Sequence, residues 1–221
     1  MNYDSVPLRD FKELNDWETV IFVYQSALKQ VETKIDILNG EFQHRHKYNP
    51  IEHVKSRIKT PESIVKKLKR HGYESSIENM VRYVNDIAGI RISCSFTSDI
   101  YLIADMISKQ NDLTILARRD YMKNPKKSGY RSYHMLVTTP VFLSDSIIDT
   151  KVEIQIRTVA QDFWATLEHK MHYKFEGDGP DYITKELREC ARYVAELDTR
   201  MEELNNCLLY TSPSPRDGAT S

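Results

Sequence analysis

Hydrophobic positions recur along this chain with two different periods. Lys151-Val-Glu-Ile-Gln-Ile-Arg-Thr158 alternates: Val152, Ile154 and Ile156 fall on one face, Glu153, Gln155 and Arg157 on the other. Period-two alternation of this length predicts a β-strand with one buried face. Ile90, Ile92, Cys94 and Phe96, alternating with Arg91, Ser93 and Ser95, predict a second strand. A third is expected from Tyr133 to Thr139, ended by Pro140. Between them Ser98-Asp99 opens an amphipathic helix through Ile100, Ile103, Ala104 and Ile107. Thr60-Pro61 starts another, with Thr60 as N-cap and Pro61 at the first helical position. Thr158 reads as the cap of a helix whose Ala160, Phe163, Trp164 and Leu167 face inward.

Two longer segments repeat at helical spacing. Leu14, Trp17, Ile21, Tyr24, Leu28, Val31, Ile35 and Leu38 predict one helix from about Phe11 to Leu38, stopped by Asn39-Gly40. Ile183, Leu187, Cys190, Val194, Leu197, Met201 and Leu204 repeat the pattern near the other end. Either stripe can cover its own core; their narrowness and length favour a subunit interface as well. From Cys207 to Ser221 the seam gives way to Ser, Pro and Gly. That stretch resembles translated adapter or assembly read-through, so the expectation is that the true C-terminus is missing. The expected division is an N-terminal helix and connector (1–45), a catalytic core (46–178), a C-terminal helix (179–206) and a non-native or disordered tail (207–221).

With 221 residues, 40% hydrophobic and 29% charged, the composition is that of one globular domain with helical extensions. No apolar run approaches the roughly 18 residues of a membrane span. The start lacks the basic and apolar run of a secretory signal, and Cys94, Cys190 and Cys207 have no metal-ligand spacing. A cytoplasmic location is the expectation. The net charge of −1 argues against bulk attraction to nucleic acid, yet the cations are clustered. After the basic connector Gln43 to Pro50 come Lys55, Arg57, Lys59, Lys66, Lys67, Lys69 and Arg70, with Glu62 the single acid among them. Ser63 and Lys67 share a helix face there, a natural phosphate site. Arg118, Arg119, Lys123, Lys126, Lys127 and Arg131 form a second cluster, read as a loop from Asn124-Pro125 and Ser128-Gly129. Tyr121 and Tyr130 are interleaved with it, which suits a nucleotide: charge for phosphates, a ring for the base.

Asp86 lies just ahead of the second strand, where it can cap a turn, and Gly89 beside it admits a close backbone approach. With Glu153 it makes two carboxylates beside strands, the usual number for Mg²⁺ when substrate phosphates complete its shell. No Walker loop and no Gly-x-Gly-x-x-Gly occurs. The residues alone therefore imply a nucleotide-dependent phosphoryl-type transferase.

Five stretches carry a closer likeness. They are Arg57-Ile-Lys-Thr-Pro-Glu-Ser63 with Lys67, Asn85-Asp-Ile-Ala-Gly-Ile-Arg91, Asn124 to His134, Glu153-Ile-Gln-Ile-Arg-Thr158 and Asp162 to His169. In this order, over roughly residues 50 to 175, they resemble the synthetase domain of the RelA/SpoT superfamily, in its single-domain small alarmone synthetases of bacteria. The resemblance implies an α/β (α+β) fold, a mixed sheet flanked by helices of nucleotidyltransferase-like type, with long terminal helices. It implies a pyrophosphokinase that moves pyrophosphate from ATP to the 3′-hydroxyl of GDP or GTP, giving (p)ppGpp and AMP.

Carried over by motif, Arg57 and Arg91 sandwich adenine, and Lys59, Ser63 and Lys67 hold the ATP phosphates. Asp86 and Glu153 bind Mg²⁺, and Glu153 takes the 3′-hydroxyl proton. Tyr130 stacks on guanine, with Arg119, Lys126, His134, Gln155 and Asp162 around the acceptor. Arg157 receives no role. The resemblance also implies a homotetramer built through the terminal helices, with RNA open as a regulator. No His-Asp pair of the family's hydrolase domain occurs, so synthesis without hydrolysis is expected. One subgroup is activated by its own product; Glu52-His-Val-Lys55 ahead of Arg57 departs from that subgroup's pattern. The competing readings are a relative of the same fold with a tRNA or adenosine-nucleotide acceptor, and a non-catalytic RNA- or nucleotide-binding protein.

Overall fold

The computed structural model describes residues 16–46, 48–174 and 181–211. In chain order the elements are α1 (Trp17–His46), β1 (Ile51–Ile58), α2 (Pro61–Arg70), α3 (Ile77–Tyr83), β2 (Ala88–Cys94), α4 (Thr97–Ser108), β3 (Thr114–Asp120), β4 (Tyr133–Phe142), β5 (Ile147–Thr158), α5 (Val159–Lys174) and α6 (Asp181–Thr211). One mixed sheet runs β1-β2-β5-β4-β3. The β2–β5 pair is parallel and the other three are antiparallel.

The predicted alternation of β5 holds. Val152, Ile154 and Ile156 are wholly buried in one apolar cluster that includes α1, α2, α3, α4 and the same face of β2 and β4. Burying the aliphatic face against helices stabilises each side chain by about 1.5–3 kcal/mol. It leaves the opposite face of the central strands for polar work, with α5 lying over β5 and β2.

The apolar stripe of α1 serves this core: Tyr24, Leu28, Val31 and Ile35 are buried against the chain's own sheet. Leu14 and the helix start at Phe11 lie outside the described residues. Contrary to the predicted stop, α1 passes through Asn39-Gly40 to His46. Gly40 does not take the left-handed conformation that ends a helix; among the described residues, Gly72 and Gly129 are the glycines with positive φ. A mid-helix glycine costs only about 1 kcal/mol. The basic residues of the presumed connector, His44, Arg45 and His46, sit in the last turn, where the Arg45 charge complements the helix dipole.

Three elements have no counterpart in the hydrophobic pattern. β1 is an edge strand whose polar positions are exposed. α3 is seven residues long, and β3 takes in Arg118, Arg119 and Asp120, so the basic loop begins only at Tyr121. β4 also outruns its expected end: Pro140 pairs with Asp149, and the strand continues to Phe142. The β3 pairing finishes at Thr138, which leaves β4 an open edge where a proline is tolerated.

Thr158 does cap α5, its hydroxyl accepting from Gln161 N at 3.1 Å. Phe163, expected inside, is 64% exposed, while Gln161, Trp164 and Ala165 turn inward. The inner face is set by α6: Trp164 Nε1 donates to the Leu187 carbonyl at 2.9 Å, and Gln161 Nε2 to Asp198 at 2.7 Å. On α6 the buried positions are Ala191 and Asp198, so the core-facing line is offset from the predicted stripe and Leu197, Met201 and Leu204 face outward. The helix runs to Thr211; residues 212–221 lie outside the described residues. Among the described residues no helix is long and apolar enough to cross a membrane.

Candidate active site

Strand register builds the site as two rows across the polar face of the sheet. The first joins Arg57 to Gly89 and Gly89 to Glu153; the second joins Lys55, Arg91, Gln155, His134 and Arg119 in sequence. Opposite residues on neighbouring strands stand about 4.5–5.5 Å apart at Cβ, so residues distant in sequence become a contiguous surface. Arg57, Arg91, Asp86, Lys126, Tyr130, His134, Glu153 and Gln155 line one cavity of about 530 Å³, closed on its far side by α5 through Ala165, Thr166 and His169. A Cβ on Gly89 would meet only Arg57 Cγ, at 4.0 Å. The glycine leaves open floor between Arg57 and Glu153 and does not serve a tight backbone approach.

Asp86, in the link between α3 and β2, is gripped from both sides. Lys59 Nζ lies 2.7 Å from Oδ2 and Lys67 Nζ 2.6 Å from Oδ1. Burial pushes its carboxyl up, but the two ammonium groups outweigh that and hold it at about 2. Lys59 and Lys67 thus reach the site through Asp86. Ser63 is exposed in the first turn of α2; its hydroxyl accepts from Thr60 Oγ1 at 3.0 Å, and Thr60 caps the helix as predicted.

Glu153 is ionised by a similar balance. Burial raises its carboxyl, His134 and Gln155 lower it, Asp86 opposes them, and the net shift is downward. Gln155 Nε2 donates to Glu153 Oε2 at 2.9 Å, while His134 Nδ1 stands 3.6 Å from Oε1. The other ring nitrogen of His134 is 3.0 Å from Tyr130 OH, which links the carboxylate to the aromatic of the basic loop. Lys126 Nζ lies 4.6 Å over the Tyr130 ring and Arg157 Cζ 5.4 Å from its centroid. Arg119 stands apart from the main cavity. It lines a smaller one of about 60 Å³ with His134, Glu153 and Asn85.

Asp162, in the first turn of α5, meets three cations without a hydrogen bond: Arg157 Nη1 at 3.5 Å, Arg91 Nε at 3.7 Å and Lys55 Nζ at 3.8 Å. Among the described residues, Arg91 Nε, Arg157 Nε and Asp162 Oδ1 are buried with no hydrogen-bond partner. Unsatisfied polar atoms beside a cavity mark where a ligand's polar groups would be accepted.

Arg157, left without a role by the motif resemblance, has its side chain 2% exposed; it donates to Gln155 Oε1 at 2.6 Å beneath Tyr130. Its signal was present as the third polar residue of the β5 alternation. Lys55 also lines the cavity; only the unpredicted β1 reveals that it shares the row of Arg91.

Residues 56–178 match the profile of the region found in RelA/SpoT proteins. The chain belongs to the RelA/SpoT family. Within it, the chain is 46% identical over 188 residues to the GTP pyrophosphokinase YwaC of Bacillus subtilis, covering 85% of this chain and 90% of that protein. The crystal structure of small alarmone synthetase 2 from Bacillus subtilis superposes with a TM-score of 0.80 at 44% identity, over 87% of this chain and 99% of the other. That of small alarmone synthetase 1 from the same organism, bound to its product pppGpp, gives 0.80 at 34% identity, over 86% and 96%. The mixed sheet and flanking helices expected from the resemblance are therefore the family's fold. All five of the motif stretches fall wholly within residues 56–178.

Proposed function

We propose that this chain is a (p)ppGpp synthetase, transferring pyrophosphate from ATP to the 3′-hydroxyl of GDP or GTP. The observation that carries the reading is Glu153, ionised on the cavity floor between the Arg57/Arg91 wall and the Tyr130/Lys126 wall. Arg57 and Arg91 hold the adenine between guanidinium planes, a contact lysine cannot imitate. Lys59 and Lys67 pass from Asp86 to the ATP phosphates, with Ser63 at the α2 N-terminus beside them. Tyr130 stacks on guanine once Lys126 has swung off its ring toward a phosphate. His134, Gln155, Arg119 and Asp162 surround the acceptor nucleotide.

Mg²⁺ fits the donor set. Asp86 and Glu153 are both ionised, line one cavity and feel each other's charge. Among the described residues no group of three or more His, Cys, Asp or Glu could hold a metal, so substrate phosphates would have to complete the shell of an ion held by these two carboxylates. Asp86 and Glu153 would hold the ion, which when bound supplies neutralisation of charge on the transferring phosphates. Glu153 is the carboxylate on the floor that accepts the 3′-hydroxyl proton. A carboxylate held below its usual range is a weak base, so the proton leaves as the new O–P bond forms; loose phosphoryl-type transition states ask for little more.

The outward stripe of Leu197, Met201 and Leu204 on α6 supports self-association through that helix; the proposed assembly is a homotetramer, and the proposed location the cytoplasm. Light scattering reads the assembly directly. The activity test mixes the purified protein with ATP, Mg²⁺ and GDP or GTP and follows AMP and guanosine tetra- or pentaphosphate. Glu153→Gln should lose at least a hundredfold in kcat. Intact ATP, or a Glu153→Gln enzyme as fast as wild type, refutes the proposal. Labelled tRNA or adenosine nucleotide in place of GTP reads the alternative acceptor.

A further inference from the structure

Lys151 stands on the site face of β5, two residues ahead of Glu153, and is only 2% exposed. Its ammonium donates to Asn85 Oδ1 at 2.7 Å and to the Arg82 carbonyl at 3.3 Å. Among the described residues no carboxylate pairs with it. A buried cation without a counter-charge costs stability, and an apolar side chain of similar length would fill the space without that cost. What the ammonium alone supplies is donors.

Those donors meet the segment that carries Asp86. Arg82 lies in the last turn of α3, Asn85 precedes Asp86, and the link ends where Lys59 N donates to the Ile87 carbonyl at 2.8 Å. One buried group on the catalytic strand therefore ties the end of α3 to the link. It also fixes the Asn85 amide: an ammonium has no acceptor, so only Oδ1 can face it. The amide N–H₂ is left for the other side, and Asn85 is one of the residues around the 60 Å³ cavity shared with Glu153 and His134.

The structure assigns Lys151 as a positioning residue that acts through Asn85 to hold Asp86 in register with Glu153. The assignment rests on the role given above to those two carboxylates. Misplacing a reacting or charge-holding group by about 1 Å can cost on the order of a hundredfold in rate, so the clamp acts on kcat more than on acceptor binding.

Two variants test it. Lys151→Met removes the donors and keeps the length. Lys151→Met with Asn85→Leu replaces both partners by apolar groups, a change that can be nearly neutral for stability. Lys151→Met should exchange the amides of residues 84–87 at least tenfold faster in nucleotide-free protein, with the β4 amides unchanged. Its kcat should fall on the order of tenfold to a hundredfold at unchanged KM for GTP. The double variant should regain the melting temperature without regaining kcat. Wild-type exchange at 84–87 overturns the clamp. Recovery of kcat together with melting temperature overturns the positioning role and leaves Lys151 a fold residue. The exchange is read without substrate, so it stands or falls apart from the Glu153→Gln test of the activity.

Discussion

Gly129→Ala tests the least forgiving contact around the proposed acceptor site. Gly129 has φ +92°, and a Cβ added there would lie 2.5 Å from Ala191 Cβ, with the Arg188 backbone 3.9 Å away. Two costs add. An L-residue at this φ is strained by about 1–3 kcal/mol, and overpacking against α6 costs about another 1–3 kcal/mol. The loop is stitched locally, Gly129 N donating to the Lys126 carbonyl at 2.8 Å and Lys126 N to the Tyr130 carbonyl at 3.1 Å. Relief of the overlap must therefore move Tyr130 and Lys126 together. At roughly 2–4 °C per kcal/mol for a chain of this size, melting should drop by about 5–20 °C. KM for GDP or GTP should rise while KM for ATP stays put.

Ala191→Gly separates the two costs. Added to Gly129→Ala it removes the steric part and leaves the backbone strain, so about half the lost stability should return, less about 1 kcal/mol for a glycine in α6. Melting curves on the four proteins with initial rates at varied GTP supply the cycle. If Gly129→Ala melts within about 1 °C of wild type with KM unchanged, the packing of this loop on α6 is not as described. If the cycle shows no coupling between Gly129→Ala and Ala191→Gly, the overlap is not the cause.

Two further outcomes follow from the charged groups. In Lys67→Met, Asp86 loses one of the two ammonium groups that hold its carboxyl at about 2. Stability from a depressed carboxyl is complete above its unfolded value of 3.8 and lost as pH falls through the folded one. The variant's acid unfolding should therefore begin at higher pH than wild type, and an unmoved acid limb by circular dichroism would count against the pair. Asp198 is the opposite case: burial raises its carboxyl, against hydrogen bonds from Thr158 and Gln161. The folded state keeps a proton that the unfolded chain has already released, so this group costs stability as pH rises above about 4. Asp198→Asn should melt higher than wild type at pH 7.5, with the gain shrinking toward pH 4.5; a gain that grows toward acid refutes the assignment.

How much of this the sequence showed depended on where the hydrophobic signal was strong. Strand β5 was legible because both faces are specified, aliphatic against the helices and polar against the cavity. β1 was not: as an edge strand only Ile51 is fully buried and the other apolar positions are half-covered, so its cations read as a surface cluster. Pro140 and Gly40 misled for one reason. Each is a breaker by local chemistry, and tertiary context, an open sheet edge in one case and a surrounding amphipathic helix in the other, absorbed the cost. Register was the part no pattern gave. The rows that bring Arg57 toward Glu153 and Arg91 beside Gln155 exist only once β1, β2 and β5 are paired. Arg157 could not be given a role until Tyr130 was found above it.

That register also explains the charge of the molecule. The chain carries a net −1, yet its main cavity is lined by six basic side chains, Lys55, Arg57, Arg91, Lys126, Arg157 and Lys170, against three acidic ones, Asp86, Glu153 and Glu168. Such an excess in a concave, low-dielectric space destabilises the empty site and is relieved by anions. The unsatisfied Arg91 Nε, Arg157 Nε and Asp162 Oδ1 are a local sign of the same incompleteness. Asp86 meanwhile holds Lys59 and Lys67 on the cavity's flank, so two more ammonium groups wait within reach of an incoming phosphate. Binding then exchanges one set of ion pairs for another, and nothing has to be built from solvent. A site arranged this way gains little by binding a neutral ligand and much by binding two polyphosphates side by side, which is the condition a pyrophosphate transfer between nucleotides requires.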